Sequence, residues 1–363
     1  MTLLSTISLA PFSIAYSAIA RTRLALYHAG ALTAHRIGAP VISVGNITVG
    51  GTGKTPLVEW LARRLAGEGQ RVCILTRGYA RADQRQRVVV SDGERVLAGA
   101  VEGGDEPRLL AEMLQGLPVA IISDRDRVAA ARWALENFHS EVFILDDGFQ
   151  HLRMARDLDI VTIDAADPWG SGRLLPVGRL REPLRQLARA DLIVITRAEQ
   201  ASNVDALRAQ IESLSGGRPV LAARTKTRAI RPLLSSTPNR SAQELIEQPA
   251  GAFCAIGNPQ AFFAHLRRDG HTLRYTRAFP DHHTYTQSDI DALARQALQE
   301  NAHLLLTTAK DAVKLRSLSF SLPCYVIQAG LQFDDETTLL GLAREAVAGQ
   351  SAQADTIKIE GNE

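Results

Sequence analysis

One segment constrains this chain more than any other. The apolar run Val41-Ile42-Ser43-Val44 passes directly into Gly45-Asn46-Ile47-Thr48-Val49-Gly50-Gly51-Thr52-Gly53-Lys54-Thr55, and the helical run PLVEWLARRLA follows. Strand, glycine-rich turn, lysine with a hydroxyl residue, then helix is the order of the P-loop, G-x-x-x-x-G-K-[ST]. Glycines there let backbone N–H groups turn inward on phosphate oxygens, and the helix N-terminus adds its partial positive charge. The spacing assigns Thr48, Val49, Gly50, Gly51, Thr52, Gly53, Lys54 and Thr55 to a nucleotide-phosphate cradle. Lys54 is placed to bridge the β- and γ-phosphates of ATP, and the Thr55 hydroxyl to hold Mg²⁺. The chain departs from the pattern once, with Thr48 where the first glycine belongs. The competing reading is a glycine-rich turn that binds nothing, and the flanking strand and helix weigh against it.

Around this segment short apolar runs alternate with helical stretches: VISV (41–44), RVCIL (71–75), VAII (119–122), VFIL (142–145), DIVTI (159–163), LIVI (192–195) and PVLAA (219–223). Repetition of strand and helix predicts an α/β fold, a P-loop NTPase-like parallel sheet with helices on both faces. In such a sheet ligands bind beyond the carboxyl ends of the strands. From 224 to 250 the pattern lapses into a polar stretch, and a smaller C-terminal α/β domain follows. We expect an N-terminal helical segment over 1–38, the P-loop core over 39–235, the smaller domain over 236–350 and a polar tail over 351–363. With 45% apolar residues in 363, there is material for two cores. Three cysteines without CxxC spacing, Cys73, Cys254 and Cys324, support neither a disulfide framework nor a zinc site. They fit a reducing, cytosolic setting.

The net charge of +2 excludes a protein that coats nucleic acid, yet it hides an asymmetry. The first acidic residue is Glu59, and residues 2–20 carry no charged side chain. Five Ser or Thr residues and Pro11 within 3–20 argue against a stable membrane span, and the basic residues follow the apolar run rather than precede it, against a signal peptide. Two readings stay open. One is an interfacial helix with Leu3, Leu4, Ile7, Phe12, Ile14 and Ile19 in lipid and Arg21 and Arg23 at anionic headgroups; the other is an apolar helix packed on its own domain.

At the end of the VFIL run stand Asp146 and Asp147, followed by GFQH. An acid at the end of a strand near the P-loop strand is the Walker B arrangement, where carboxylates hold Mg²⁺ or its waters. Two adjacent aspartates repel unless a cation lies near, and a helix cap needs only one. Glu102-Gly103-Gly104-Asp105-Glu106-Pro107 opens a helical run, and Asp105 taken alone reads as an N-cap. Asp281, His282 and His283 share a Pro-containing loop and suggest proton handling. Between 172 and 183, Arg173, Arg179 and Arg181 lie in a Gly- and Pro-rich loop suited to bidentate phosphate contacts, or to a solvated surface. No lysine precedes the GGxGKT run and no N-K-x-D follows LIVI, so ATPase switches of the partition type and guanine-specific switches both fit poorly. ATP-dependent phosphoryl transfer leads, with a membrane-associated P-loop ATPase switch as the alternative.

Taken together, these blocks resemble one family, the tetraacyldisaccharide 4'-kinases of lipid A synthesis. The matching stretches are SVGNITVGGTGKTP, RGY (77–79), GDEP (104–107), DDGFQH (146–151), RDLDIV (156–161), GRLLPVGRLREP (172–183), GNP (257–259), FPDHHTY (279–285) and KDAVKL (310–315). Ala309 departs from the family, which has Glu before Lys-Asp. The resemblance implies transfer of the ATP γ-phosphoryl group to the 4'-hydroxyl of a tetraacyl disaccharide 1-phosphate at the cytoplasmic face of the inner membrane. The chain would be attached there as a peripheral or monotopic monomer. It implies that Asp105 and His282 take the acceptor proton, with Asp281 supporting the histidine. Lys54, Asp147 and Arg181 complete the catalytic set, and Thr55, Asp146 and Asp147 the metal set.

Overall fold

The structure, a computed structural model, describes residues 3–79, 81–281 and 283–360, with side-chain surroundings for residue 9 and, within that set, residues 11–349. The chain forms two compact units, residues 1–224 with 332–363, and residues 225–331.

In the first unit β1 (Val41–Asn46), β2 (Val72–Thr76), β3 (Val88–Ser91), β4 (Val119–Ser123), β5 (Val142–Asp146), β6 (Leu158–Asp164), β7 (Leu192–Thr196) and the start of β8 (Val220–Pro232) lie in the order β8-β7-β6-β1-β5-β2-β4-β3. Every pair runs parallel except β3 on β4. Its α-helices before residue 225 are α1 (Leu3–His28), α2 (Lys54–Gly67), α3 (Ala100–Gly103), α4 (Asp105–Leu114), α5 (Arg127–Phe138) and α6 (Val204–Ser215). Each residue of β2, β4, β5 and β7 is buried, the mark of strands covered on both faces. Cys73, Leu75, Ile122, Phe143 and Leu145 pack on Val128, Ala131 and Ala134 of α5. Val161, Ile163, Ile193 and Ile195 pack on Leu207 and Ile211 of α6. The short edge strand β3 was not anticipated, because four residues at an edge carry too little periodicity to register.

The second unit contains α7 (Ala242–Glu247), β9 (Ala250–Cys254), α8 (Pro259–Arg268), β10 (Leu273–Ala278), α9 (Gln287–Gln299), β11 (Leu304–Thr308), α10 (Ala309–Leu315) and most of β12 (Cys324–Phe333). Its strands run parallel in the order β10-β9-β11-β12, with β8 beyond Arg224 next to β12. Phe253, Leu293, Leu305 and Leu315 center one core, Phe263, Leu266, Leu306 and Tyr325 the other.

The division between units differs from the one expected at 235/236. Strand β8 runs on through the polar stretch to Pro232, so the chain passes from one unit to the next between Arg224 and Thr225, inside a strand. The chain then returns to the first unit at Gln332 with α11 (Glu336–Glu360). Phe333 meets Trp60 edge to face at 4.8 Å, Asp334 accepts the Ala222 N–H at 2.9 Å, and Arg344 pairs with Glu68 at 2.7 Å. Those partners stand far upstream in the sequence, which is why composition alone assigned 332–350 to the smaller domain. The backbone stays helical to Glu360 where a polar tail from 351 was expected, since Ala, Gln, Lys and Glu there are good helix formers.

Helix α1 spans Pro11 without breaking and shows several large apolar side chains to solvent. Ser13, Tyr16, Ser17 and Ala20 are half-buried, and the Ser13 hydroxyl reaches the carbonyls of Leu174 and Leu175 at 2.7 and 2.9 Å. Phe12, Ile14 and Ile19 point to solvent, 64%, 72% and 69% exposed. Among the described residues no helix is long and apolar enough to cross a membrane.

Candidate functional site

Strand β1 lies between β5 and β6, so its carboxyl end delivers the glycine loop to the middle of the first unit's sheet edge. Gly50 and Gly53 adopt φ of 119° and 77°, conformations that favour glycine, and Gly53 caps α2 with no side-chain partner. The N-terminal amides of α2 are therefore left to a ligand. Thr48 needs no glycine because it pairs antiparallel with Leu180. Val49 N–H donates to Arg179 O at 2.8 Å and Arg181 N–H to Ile47 O at 2.7 Å, so residues 179–181 run antiparallel beside residues 47–49. Under the loop the Thr52 hydroxyl accepts from Asn46 Nδ2 at 2.9 Å and shares a hydrogen bond with the Thr162 hydroxyl at 2.8 Å.

Strand β5 ends on the acid pair, and no helix follows it, so neither aspartate is a cap. Asp146 continues the strand and is buried, while Asp147 turns into the left-handed region at φ 54° and sends its carboxylate elsewhere. Arg181 grips Asp147 through both oxygens at 2.6 and 2.9 Å, and Lys54 Nζ stands 3.5 Å from Oδ1. Arg181 also donates to Asn46 Oδ1 at 3.0 Å, and buried Arg127 donates to the Asp147 main-chain oxygen at 3.2 Å. Burial alone would raise the Asp147 pKa. The Arg181 hydrogen bonds and the charges of Lys54, Arg181 and Arg127 outweigh it and hold the group at about 2. Asp146 shifts the other way, pushed up by burial first and then by the negative charge of Glu106. His151 is held at about 3, chiefly by burial and by Arg127, so it is a neutral ring at physiological pH.

The donor set suits Mg²⁺. Asp146 Oδ1 is buried without a hydrogen-bond partner, a hard oxygen set close to a second carboxylate and to the lysine. Among the described residues no three His, Cys, Asp or Glu side chains are grouped to hold an ion by themselves. Mg²⁺ asks for no such cage, being held by one or two carboxylates with waters and substrate phosphates.

Asp105 is the first residue of α4 rather than its N-cap; Gly104, at φ 100°, is the cap and makes no side-chain bond. The close approach of Gly104 to Gly78, whose Cα would stand 3.3 Å from a Cβ there, sets the GDEP turn against the RGY loop. In the second unit Lys310 Nζ holds Asp281 Oδ1 at 3.2 Å, and His283 stacks on Phe279 with ring centroids 4.7 Å apart. His282 lies outside the described residues. Of the three arginines expected to meet phosphate, Arg181 is on Asp147, Arg179 is on Val49 O and Asp167, and Arg173 is exposed. The sequence reading missed Arg127, Asn46 and Arg197. Arg127 and Arg197 follow the carboxyl ends of β4 and β7, and inspecting the basic residues just past every strand end would have found both.

The fold and this site define a P-loop phosphotransferase. A family model described as tetraacyldisaccharide-1-P 4'-kinase matches residues 5–346. The tetraacyldisaccharide 4'-kinase of Anaeromyxobacter dehalogenans is 43% identical over 304 residues, covering 83% of this chain and 79% of that protein. That of Geobacter metallireducens is 42% identical over 307 residues, covering 85% and 88%. The crystal structure of LpxK from Aquifex aeolicus in complex with ATP superposes with a TM-score of 0.75 at 32% identity, covering 94% of this chain and 99% of that one. The chain belongs to the tetraacyldisaccharide 4'-kinase family.

Proposed function

We propose that the chain transfers the γ-phosphoryl group of ATP to the 4'-hydroxyl of a tetraacyl disaccharide 1-phosphate, with residues 48–55 as the phosphate cradle. The observation that carries this reading is the contact set in which Lys54 and Arg181 converge on Asp147 beside the cradle. In transfer the acceptor oxygen bonds to the γ-phosphorus as the bond to the β,γ-bridging oxygen breaks. Lys54 neutralises charge on the transferring group, and Arg181 fixes Asp147 so that its carboxylate stays ionised and oriented. Asp146, Asp147 and the Thr55 hydroxyl would hold Mg²⁺, which when bound neutralises phosphate charge. Asp105 and His282 keep the acceptor-proton role that family membership suggests, and Lys310 orients Asp281 next to His282 in sequence. Because the transition state is loose, positioning outweighs base strength, and losses at Lys54 or Asp147 equal or exceed those at Asp105.

The exposed apolar side chains of α1, with Arg21 and Arg23 exposed beside them, support attachment to an anionic membrane surface; the cytoplasmic face of the inner membrane and a peripheral or monotopic monomer are what the family resemblance adds. A helix that hands Ser13 to the protein and shows Phe12, Ile14 and Ile19 to solvent is built for a second apolar phase. The test is incubation with γ-labelled ATP and the lipid disaccharide. We expect label in a doubly phosphorylated lipid, and ATP turnover without lipid labelling would overturn the assignment.

A further inference from the structure

Three carbonyls of the glycine loop are tied by side chains that come from outside it. Val49 O accepts from Arg179 Nε at 3.1 Å and Nη2 at 2.8 Å. Gly51 O accepts from the Arg197 guanidinium. Thr52 O accepts from the Thr196 hydroxyl at 2.8 Å.

The donors are themselves fixed. Arg197 follows the end of β7 at φ 52°, a conformation that an L-residue rarely holds without support, and its guanidinium is also bound by Asp164 at the end of β6. Asp164 and Thr196 are register partners in the β6–β7 ladder, so two strand ends present one rigid brace. On the other side Arg179 is paired with Asp167 at 2.9 Å, and its own main chain is hydrogen-bonded to Val49 N.

The glycines make room for these braces. A Cβ on Gly50 would stand 2.2 Å from Arg179 Nη2, and one on Gly53 would stand 3.0 Å from the Thr196 side chain. Glycine at these positions thus serves the support behind the loop as well as the backbone conformation.

A peptide unit is planar and trans, so its C=O and N–H point in opposite directions. Each tied carbonyl turns the N–H of its own peptide unit away from its brace, that of Gly50 for Val49, of Thr52 for Gly51 and of Gly53 for Thr52. We propose that Arg179, Arg197 and Thr196 are positioning residues of the phosphate cradle, which hold these three amides aimed at a nucleotide's β-phosphate before it arrives and do not themselves bind phosphate. Holding the loop in its bound form in advance avoids an ordering cost on binding. The inference rests on the reading of residues 48–55 as a nucleotide site, and it reverses the expectation that Arg179 is a phosphate ligand.

The experiment is calorimetric titration of ATP and ADP, each with Mg²⁺, into the parent, Arg179→Met, Thr196→Val and the double variant Arg197→Met/Asp164→Asn. The double variant removes the ion pair together, so no carboxylate is stranded. Loss of a brace is expected to weaken ATP and ADP by the same factor, about tenfold per variant, with KM for the lipid unchanged. Arg179→Lys, able to restore one of two contacts, is expected to recover part of the loss. A loss confined to ATP would show direct contact with the γ-phosphate and overturn the proposal, as would unchanged affinity for both. The Arg179 side chain is 51% exposed, so Arg179→Met tests the point even if the β6–β7 variants fail to fold. A parent protein that bound neither nucleotide would overturn the nucleotide-site reading, and the braces with it.

Discussion

Replacing Phe12, Ile14 and Ile19 together by serine tests attachment to the membrane at its physical origin. These side chains are 64%, 72% and 69% exposed, so about two-thirds of each is available for transfer out of water. Full burial of such a side chain is worth about 1.5–3 kcal/mol, so the three together supply roughly 3–6 kcal/mol of partitioning. At about 1.4 kcal/mol per factor of ten, their loss lowers the vesicle partition coefficient at least about a hundredfold. Sedimentation with phosphatidylethanolamine/phosphatidylglycerol vesicles reads this directly. The inward face keeps Ser13 on the Leu174 and Leu175 carbonyls, so the thermal midpoint and the kcat on detergent-dispersed acceptor are expected to stay at parental values. Arg21→Gln/Arg23→Gln is expected to cost about 2 kcal/mol on anionic vesicles at low salt and nothing on neutral ones. Serine-variant binding equal to that of the parent would refute the reasoning and return α1 to a helix that merely packs on its own unit.

Packing and electrostatics set the outcome at three further sites. Asp147→Asn keeps the shape of the Arg181 contact but removes its charge, and kcat is expected to fall at least a hundredfold. The same variant has a pH signature: a carboxylate depressed to about 2 stabilises the fold above its unfolded pKa near 4, and that contribution, about 2 kcal/mol, is lost as pH falls from 4 to 2. Urea midpoints of parent and variant should therefore converge over that window, and parallel curves would argue against the ion-pair account. Asp311, 1% exposed, accepts from the Ala255 N–H, the Tyr285 hydroxyl at 3.0 Å and the Thr308 hydroxyl at 2.6 Å. Asp311→Ala strands those donors and is expected to cost at least about 3 kcal/mol by denaturant titration, with Asp311→Asn recovering part of it. Phe333→Ala removes the edge-to-face partner of Trp60 and is expected to cost about 3 kcal/mol, read as a lower thermal midpoint.

The lipid kinase reading does not depend on any one motif. Asp105 taken alone reads as a helix cap, and the structure shows that Gly104 holds that position. Asp146 and Asp147 taken alone are an unfavourable pair, and the structure separates them, one buried in strand register and one turned out to Lys54 and Arg181. Their environments shift the two carboxyls in opposite directions, as in sites where neighbouring acids take different tasks.

Local order along the chain determined a good deal without any coordinates. The run from Val41 to Thr55 set the P-loop, the alternating apolar runs set a parallel sheet, and Asp146 and Asp147 marked a strand end as functional. Such features are legible because they depend on neighbours within one turn or one strand. Tertiary structure decided the rest. That α11 joins the first unit turns on Phe333 meeting Trp60, and that Arg179 braces the loop turns on a carbonyl 130 residues away. The direction in which a side chain's charge is used depends on which distant backbone it reaches, and sequence spacing carries no record of that approach.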